Sequence, residues 1–175
     1  MAVDGKFNGR NEIFNGFNRK LYFCPENPQA IGAETNWIEL GYDDSFSFNE
    51  NENEIQKYNK REKSHKKRGR KEYTFEVSQL YAGHDISIFA MKQKEGTLKQ
   101  VTFNDADEVV EVNYFHHAYI NSPQFNGGSD DGDDTVSASG DYSNRFMYDA
   151  DGADAELIYS TTGKEPVADT EGTSL

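Results

Sequence analysis

The chain has 175 residues, a net charge of −13 and an aromatic content of 13%. This length suits one domain whose core needs no disulfide, and the single cysteine, Cys24, excludes an internal disulfide and a zinc site built from several thiolates. No stretch approaches the roughly 20 apolar residues of a membrane helix, and the N-terminus lacks an apolar signal core. These features predict a soluble protein made in a reducing cytoplasm, with no membrane partner.

The charge is divided between a basic segment and an acidic remainder. Residues 57–71, here called the basic segment, hold nine of the 18 Lys and Arg and one acid, Glu62, for a net charge of +8. The rest of the chain therefore carries −21. This separation favours attraction between the basic segment of one molecule and the body of another, and it repels nucleic acid from most of the surface.

The N-terminal part predicts an arm and two short strands. Residues 1–19 are rich in Gly and Asn but include three Phe and one Ile, which favours an extended arm that packs against a surface. Strands are predicted at Lys20–Phe23 and Trp37–Leu40, separated by a loop that contains prolines.

The next segment, residues 42–80, predicts a long β-hairpin. Polar alternation over Ser45–Glu54 and again over Glu72–Ser78 surrounds the basic segment, and two stretches of period two around a polar linker are typical of a hairpin. One face of its base is aromatic and the other polar, which indicates one packed and one wet face. The polar arms are expected to project beyond the hairpin's own core.

After the hairpin, one helix is predicted over Ser78–Lys94, from an apolar stripe that ends in lysines. Strands follow at Lys99–Phe103, at Glu108–Asn121 with both faces partly covered, and at Thr135–Tyr142 as the last core strand. Beyond Met147 the composition predicts a mobile tail with one short strand at Leu157–Tyr159.

These elements predict a mainly β (α+β) sandwich or barrel with one helix. The expected division is an N-terminal arm at 1–19, a β domain at 20–147 and an acidic C-terminal tail or arm at 148–175. Within the β domain, the long hairpin loop is placed at about 50–71 and the helix at about 79–94.

The sequence gives only weak indications of a metal site or a catalytic site. His116 and His117 are neighbours on a predicted strand, so their side chains are expected on opposite faces, where they cannot share a metal. The two acidic loops lack the ligand spacing of a calcium-binding loop and are interpreted as solvated; their carboxylates are those of Asp130, Asp131, Asp133, Asp134, Asp149, Asp151, Asp154 and Glu156. No nucleophile motif is present, so no enzyme, cofactor or metal is predicted.

The basic segment has three interpretations. It docks onto an acidic neighbouring copy, it stays disordered until assembly, or it binds nucleic acid through its cations, Tyr58 and His65.

The order of elements resembles the tail tube (major tail) proteins of long-tailed bacteriophages. The resemblance covers about residues 18–145 and is one of element order and polarity. The matching parts are the return strand Arg68–Leu80, the helix, the strands Val101–Asn104 and Val110–Ile120, and the Gly/Asp turn into Thr135–Gly140. It implies a non-enzymatic virion protein, made in the host cytoplasm, that forms hexameric rings with a shared inner β-barrel.

In such proteins the rings stack into a tube through which double-stranded DNA passes without specific binding. Expected partners are further copies of the chain, the tape measure, the tail terminator and the baseplate. Carried onto this sequence, the inter-ring or inter-subunit loop comprises Lys57, Lys60, Arg61, Lys63, Lys66, Lys67, Arg68, Arg70 and Lys71. The residues expected to face the lumen are Ser45, Ser47, Asn49, Thr74, Glu76 and Ser78, while Phe46, Phe48, Tyr73, Phe75 and Val77 are expected on the packed side against Ile86, Phe89 and Met91.

Three alternatives remain open. The tube protein of type VI secretion shares the fold that the resemblance implies. A small β-sandwich module could bind carbohydrate through Trp37, Tyr81 or Tyr119, and a nucleic-acid binder would work through the basic segment.

Overall fold

The computed structural model describes residues 19–25, 36–43, 45–58, 64–81, 87–128, 132, 134–152 and 154–163. Of residues 53–58 and 64–70, only the backbone is described. The elements are β1 (Arg19–Cys24), β2 (Ile38–Asp43), β3 (Phe46–Tyr58), β4 (Ser64–Tyr81), α1 (Ser87–Ala90), β5 (Glu95–Phe103), β6 (Val109–Ile120), β7 (Gln124–Asn126), β8 (Thr135–Tyr142), β9 (Asn144–Tyr148) and β10 (Leu157–Ser160).

Six of these strands close into an antiparallel barrel. Its order is β1-β2-β4-β8-β6-β5, and β5 pairs back onto β1. Closure depends on a short contact between β6 and β8, in which Tyr119 lies opposite Asp141 and Ile120 opposite Gly140. The prediction of a mainly β, barrel-like fold with one helix is confirmed.

The other strands extend the barrel wall on three sides. β3 pairs with β4 over its own whole length, from Phe46 opposite Val77 to Tyr58 opposite Ser64. β7 pairs with β8, and β9 pairs with β6 and carries β10. The strands β3-β4-β8-β7 therefore form a continuous four-stranded sheet along one side of the molecule.

Apolar residues form two clusters, on opposite faces of β1, β5 and β6. The inner cluster fills the barrel and includes Phe23, Phe75 and Phe115. The outer cluster includes Val112 and Tyr114. Because both faces are covered, β5 is buried almost throughout and every residue of β6 is at least partly buried, as predicted for both faces of β6.

An ion pair between the buried Lys99 and the exposed Asp151 fixes the loop between β9 and β10. The Lys99 ammonium lies 2.8 Å from an Asp151 carboxylate oxygen and 5.0 Å from the centroid of the Trp37 ring. Since the Lys99 side chain is only 7% exposed, the carboxylate and the ring quadrupole replace much of its lost hydration.

The helix prediction was wrong in extent. Residues 78–81 continue β4, with Leu80 opposite Val136 and Tyr81 opposite Tyr42, and α1 has only four residues. Pairing with β2 and β8 overrides the helical spacing of the apolar residues, since Leu80 is fully buried as a strand residue. Ile86 lies outside the described residues.

The sheet also extends past the predicted last core strand. β9 and β10 both follow Tyr142, and β10 matches the short strand expected at Leu157–Tyr159. Residues 50–58 and 64–71, expected as loop, are paired strand on both arms. The division of the chain into an arm, a domain and a tail stays a prediction.

Candidate functional site

The polar face of the four-stranded sheet is the most distinctive surface of the described residues. All six residues predicted to face a lumen are exposed, and pairing aligns them across strands. Ser47 lies opposite Glu76, which lies opposite Ser139 on β8. Because directly paired residues share a face, the polar alternation of two strands becomes one continuous wet surface. That these residues face a lumen stays a prediction.

This wet face is concave and acidic. It holds an open groove of about 570 Å³ whose polar lining includes Glu76, Asp141 and Asn121. The Asn121 amide donates a hydrogen bond of 3.1 Å to Asp141. The charged side chains in the described lining are therefore both carboxylates.

The opposite face of the sheet is apolar and covers the barrel. Tyr73, Phe75 and Val77 are buried, as predicted, and Phe46 is half-buried and stacks on Phe75. Phe48 also lies on this face, with its ring centroid 5.6 Å from that of Phe115, but it is 41% exposed. β3 is an edge strand there, so the barrel covers Phe48 on only part of its surface.

A polar joint missed by the sequence analysis connects the hairpin to β9. The Arg145 guanidinium donates to Glu50 at 2.6 Å and to Asn113 at 2.9 Å. It also lies over the rings of Phe48 and Tyr159, at 4.5 and 4.6 Å from their centroids. One side chain thereby ties β3, β6, β9 and β10 together.

Two tyrosine hydroxyls complete this joint at Glu50. Tyr142 and Tyr159 each donate to a Glu50 carboxylate oxygen at 3.3 Å. Burial, and then the Glu50 charge, raise the pKa of the Tyr142 hydroxyl, so it stays a neutral donor.

The basic segment is described mainly by its backbone. Lys60, Arg61 and Lys63 lie outside the described residues, and the side chains of Lys57, Lys66, Lys67, Arg68 and Arg70 are not described either. The backbone places the segment at the far end of the hairpin, where Lys57 lies opposite His65. Lys71 is described: it is exposed and forms an ion pair of 3.3 Å with Glu52, whose hydrogen bond raises the pKa of Lys71. The role of these cations in assembly stays a prediction.

The two adjacent histidines share a face, against the prediction. Their ring centroids are 4.2 Å apart, because His117 adopts a left-handed backbone conformation with φ of 52° that breaks the alternation of β6. The His117 Nδ1 contacts a Glu95 carboxylate oxygen. Within the described residues no cluster of three or more metal-ligating side chains exists.

The acidic loops use several carboxylates as internal acceptors. Asp134 accepts from the Gly128 amide at 2.9 Å, and Asp149 accepts from the Glu156 amide at 2.8 Å. Together with Asp151, which pairs with Lys99, these groups stabilise loop conformations. Asp130, Asp131 and Asp133 lie outside the described residues.

The aromatic residues considered for carbohydrate binding do not form an exposed platform in the described part. Trp37 is half-buried, and its ring centroid lies 5.8 Å from that of Tyr114 in the outer cluster. The Tyr119 hydroxyl donates to Glu95 at 3.1 Å, and the Tyr81 side chain is not described. Trp37 is therefore a packing residue.

Comparison with known proteins shows similarity at the level of the fold. No protein-family model and no curated protein matches the chain. Among solved structures, the SPP1 tail tube matches with a TM-score of 0.54 and 17% identity over 81% of this chain and 81% of that chain. The sheath-tube complex of the extracellular contractile injection system PVC matches with a TM-score of 0.54 and 10% identity, over 79% and 93%.

A third match is the terminating cap of the anti-feeding prophage tube, with a TM-score of 0.53 and 10% identity over 86% of this chain and 100% of that chain. At such identities the similarity concerns the fold. The chain has the tail tube fold, which confirms the fold that the order of elements suggested.

In the described residues, no helix has the length and apolar character needed to cross a membrane.

Proposed function

We propose that this protein is a structural, non-enzymatic subunit that assembles into hexameric rings, which stack into the tail tube of a bacteriophage. The observation that carries the proposal is the four-stranded sheet with a wet concave face, an apolar face on the barrel and two edge strands. Rings built from such sheets enclose a channel lined by Ser, Asn, Thr and Glu side chains. The tail of the virion is then its location, and the tape measure, terminator and baseplate are its partners.

Electrostatics supports passage of DNA through this channel. The body of the chain carries −21 outside the basic segment, and Glu76 and Asp141 lie on the wet face itself. A wall of the same sign as the phosphates repels the duplex, so DNA slides through the channel without adhering.

The basic segment supplies the opposite charge for stacking. It lies at the far end of a hairpin of 13- and 18-residue strands, well beyond the pairing of β4 with β8, which ends at Tyr73. A projecting cationic tip can reach the acidic body of a copy in the next ring, a head-to-tail contact that repeats without closing.

Electron microscopy of the purified protein, combined with its mass in solution, tests the proposal. Rings or tubes with a channel wide enough for duplex DNA are expected as the concentration rises. A particle that stays monomeric at high concentration, and also after mixing with preformed tube ends, would contradict it.

Reversing the charge of the tip tests its role in stacking. Replacing Lys66, Lys67, Arg68 and Arg70 by Glu is expected to leave rings but reduce tubes to single rings or short stacks, because repulsion replaces attraction between rings. The length distribution of tubes measures this. The matched control exchanges each Lys for Arg and each Arg for Lys, which keeps the charge and should preserve tube length. Tubes of unchanged length in the Glu variant would refute docking of the basic segment onto a neighbouring copy.

A second candidate is the tube of a contractile injection system or type VI secretion apparatus. The PVC sheath-tube complex matches with the same TM-score, 0.54, as the SPP1 tail tube. The two candidates differ in cargo. Particles isolated from producing cells with an antibody to this chain should contain DNA-filled heads in the first case and lack DNA in the second.

A further inference from the structure

A bulge in β6 places the two adjacent histidines side by side. β5 and β6 pair at Phe115 and again at Ala118; between these positions the single residue Thr97 lies opposite both His116 and His117. The left-handed backbone of His117 turns its side chain to the face on which His116 lies, and the ring centroids are 4.2 Å apart. The bulge therefore holds two groups that titrate near neutral pH in contact.

The bulge lies where β6 changes its partner. Up to His116, which is opposite Asn144, β6 pairs with β9; from Tyr119 onward it pairs with β8. The amide of Ser143, the residue between β8 and β9, donates to the His116 carbonyl oxygen at 3.0 Å. The histidine pair therefore occupies the corner at which the barrel closes.

The uncharged groups around the pair come from three strands. In the described part of the chain they are Thr97 on β5, Tyr114 and Tyr119 on β6, and Asn144 and Phe146 on β9. Burial raises the pKa of Tyr114, and the hydrogen bond to Glu95 raises that of Tyr119, so both hydroxyls stay neutral at the pH values at which histidines titrate.

The charged groups on this face are two carboxylates and one paired cation. Glu95 on β5 contacts Nδ1 of His117, and Asp141 on β8 lies opposite Tyr119. Lys99, on the same face of β5, lies 2.8 Å from Asp151. On β9, Arg145 is opposite Phe115 and so points to the other face.

A second proton on the pair conflicts with this geometry. His116 is 7% exposed, and Glu95 contacts His117, so one positive charge on the pair is balanced by the carboxylate. A second puts two positive charges about 4 Å apart where water screens them poorly. The repulsion is relieved when His117 leaves its left-handed conformation, because regular alternation turns the two rings to opposite faces. Loss of the bulge shifts the register of the residues that follow, which are those that pair with β8.

We propose that His116 and His117 form a pH-sensitive hinge, which keeps β6 closed onto β8 at neutral pH and loosens this closure at mildly acidic pH. All the groups lie within one copy, so the inference does not depend on ring assembly. In the unfolded chain both imidazoles take up protons near pH 6.5, at about their ordinary value, whereas the folded pair takes up the second proton only at lower pH. Stability therefore falls as the pH drops below about 6.5 and is recovered above it.

The thermal unfolding midpoint of the full-length protein, measured at several values between about pH 7.5 and 5.5, tests the hinge. His116→Gln removes one imidazole and keeps a polar side chain, and His117→Asn removes the other with a residue that tolerates the left-handed conformation. On going to the lower pH, the parent midpoint is expected to fall by about 3 °C or more beyond the fall in either variant. His65→Gln is the matched control. It removes an imidazole at the far end of the hairpin, where His65 lies opposite Lys57, and should keep the fall of the parent.

Hydrogen exchange at the closure is the second readout. The Ser143 amide donates to His116 and the Asn121 amide to the Ser139 carbonyl oxygen at 2.9 Å. After correction for the intrinsic pH dependence of exchange, protection of both amides in the parent should fall about tenfold at the lower pH. In His116→Gln it should stay unchanged.

Two results would overturn the hinge. The first is an equal fall of the midpoint in the parent and in His116→Gln, since the acid sensitivity then comes from carboxylates elsewhere. The second is a midpoint that falls in the parent while the Ser143 and Asn121 amides keep their protection, since the closure then does not open. Because each comparison concerns pH dependence within one variant, a variant of lower absolute stability still reports on the hinge.

Discussion

Gly140→Ala is expected to lower the free energy of unfolding by about 3 kcal/mol or more, or to prevent folding. A Cβ atom at this position would lie 1.9 Å from the Tyr119 carbonyl oxygen and 2.5 Å from Cζ of Phe75. The first neighbour is backbone, so it cannot yield without moving β6. Because Gly140 lies opposite Ile120 in the short pairing of β6 with β8, the substitution acts where the barrel closes.

Chemical denaturation followed by far-ultraviolet circular dichroism measures this loss. Gly127→Ala is the control, because a Cβ there would meet Phe125 at an ordinary contact distance of 3.5 Å; its effect should stay within about 0.5 kcal/mol. An unfolding midpoint for Gly140→Ala equal to that of Gly127→Ala would show that β8 does not approach β6 as closely as described.

The hairpin could be predicted because the pattern that specifies each of its strands lies within neighbouring residues. Alternation of period two states which side chains share a face, and burial of Tyr73, Phe75 and Val77 beside exposed Thr74 and Glu76 follows from it. The alternation does not predict how far the barrel extends beneath the hairpin. Phe48 continues the apolar register but lies where the sheet has an edge, so it remains exposed.

The extent of the helix was predicted wrongly, and β9 was missed, for a different reason. Leu80 belongs to an apolar stripe of helical spacing, yet its partners on β8 and β2, Val136 and Asp43, are distant in sequence. Pairing with these distant strands makes residues 78–81 a strand and not a helix, and a single sequence does not show which distant strands will pair. His117 shows the same limit, since nothing in the residues around it signals a left-handed backbone.

The joint at Glu50 was hidden by distance along the chain. Glu50 is one of the alternating acidic residues of the hairpin, so the sequence pattern predicts a solvated carboxylate there. Its partner, Arg145, is 95 residues further along the chain. Only the fold of β9 against β6 brings the two together. The candidate wet face, in contrast, was visible in the sequence because each strand carries its own share of the pattern.

Arg145→Met is expected to destabilise the protein by about 2–3 kcal/mol, because it leaves the Glu50 carboxylate without its cation in a site of low exposure. The side chains of Arg145 and Glu50 are 11% and 21% exposed, so water replaces the lost interaction poorly. Glu50→Gln should cost less, since an amide keeps part of the hydrogen bonding to Arg145. In a double-mutant cycle on the midpoint of denaturation, the coupling energy is expected to be about 1–2 kcal/mol.

The same hairpin provides the comparison. Lys71 and Glu52 form an ion pair of 3.3 Å with side chains 49% and 40% exposed, two residues along β3 from Glu50. Lys71→Met should change stability by no more than about 0.5 kcal/mol, because exposed pairs are weak, and raising the salt concentration should reduce even that. Equal effects of Arg145→Met and Lys71→Met would mean that Glu50 is solvated, and that the hairpin is not held to β9 through this joint. A large effect at Arg145 alone would show that the root of the hairpin is fixed before any partner binds, so that its basic tip is presented in a defined direction.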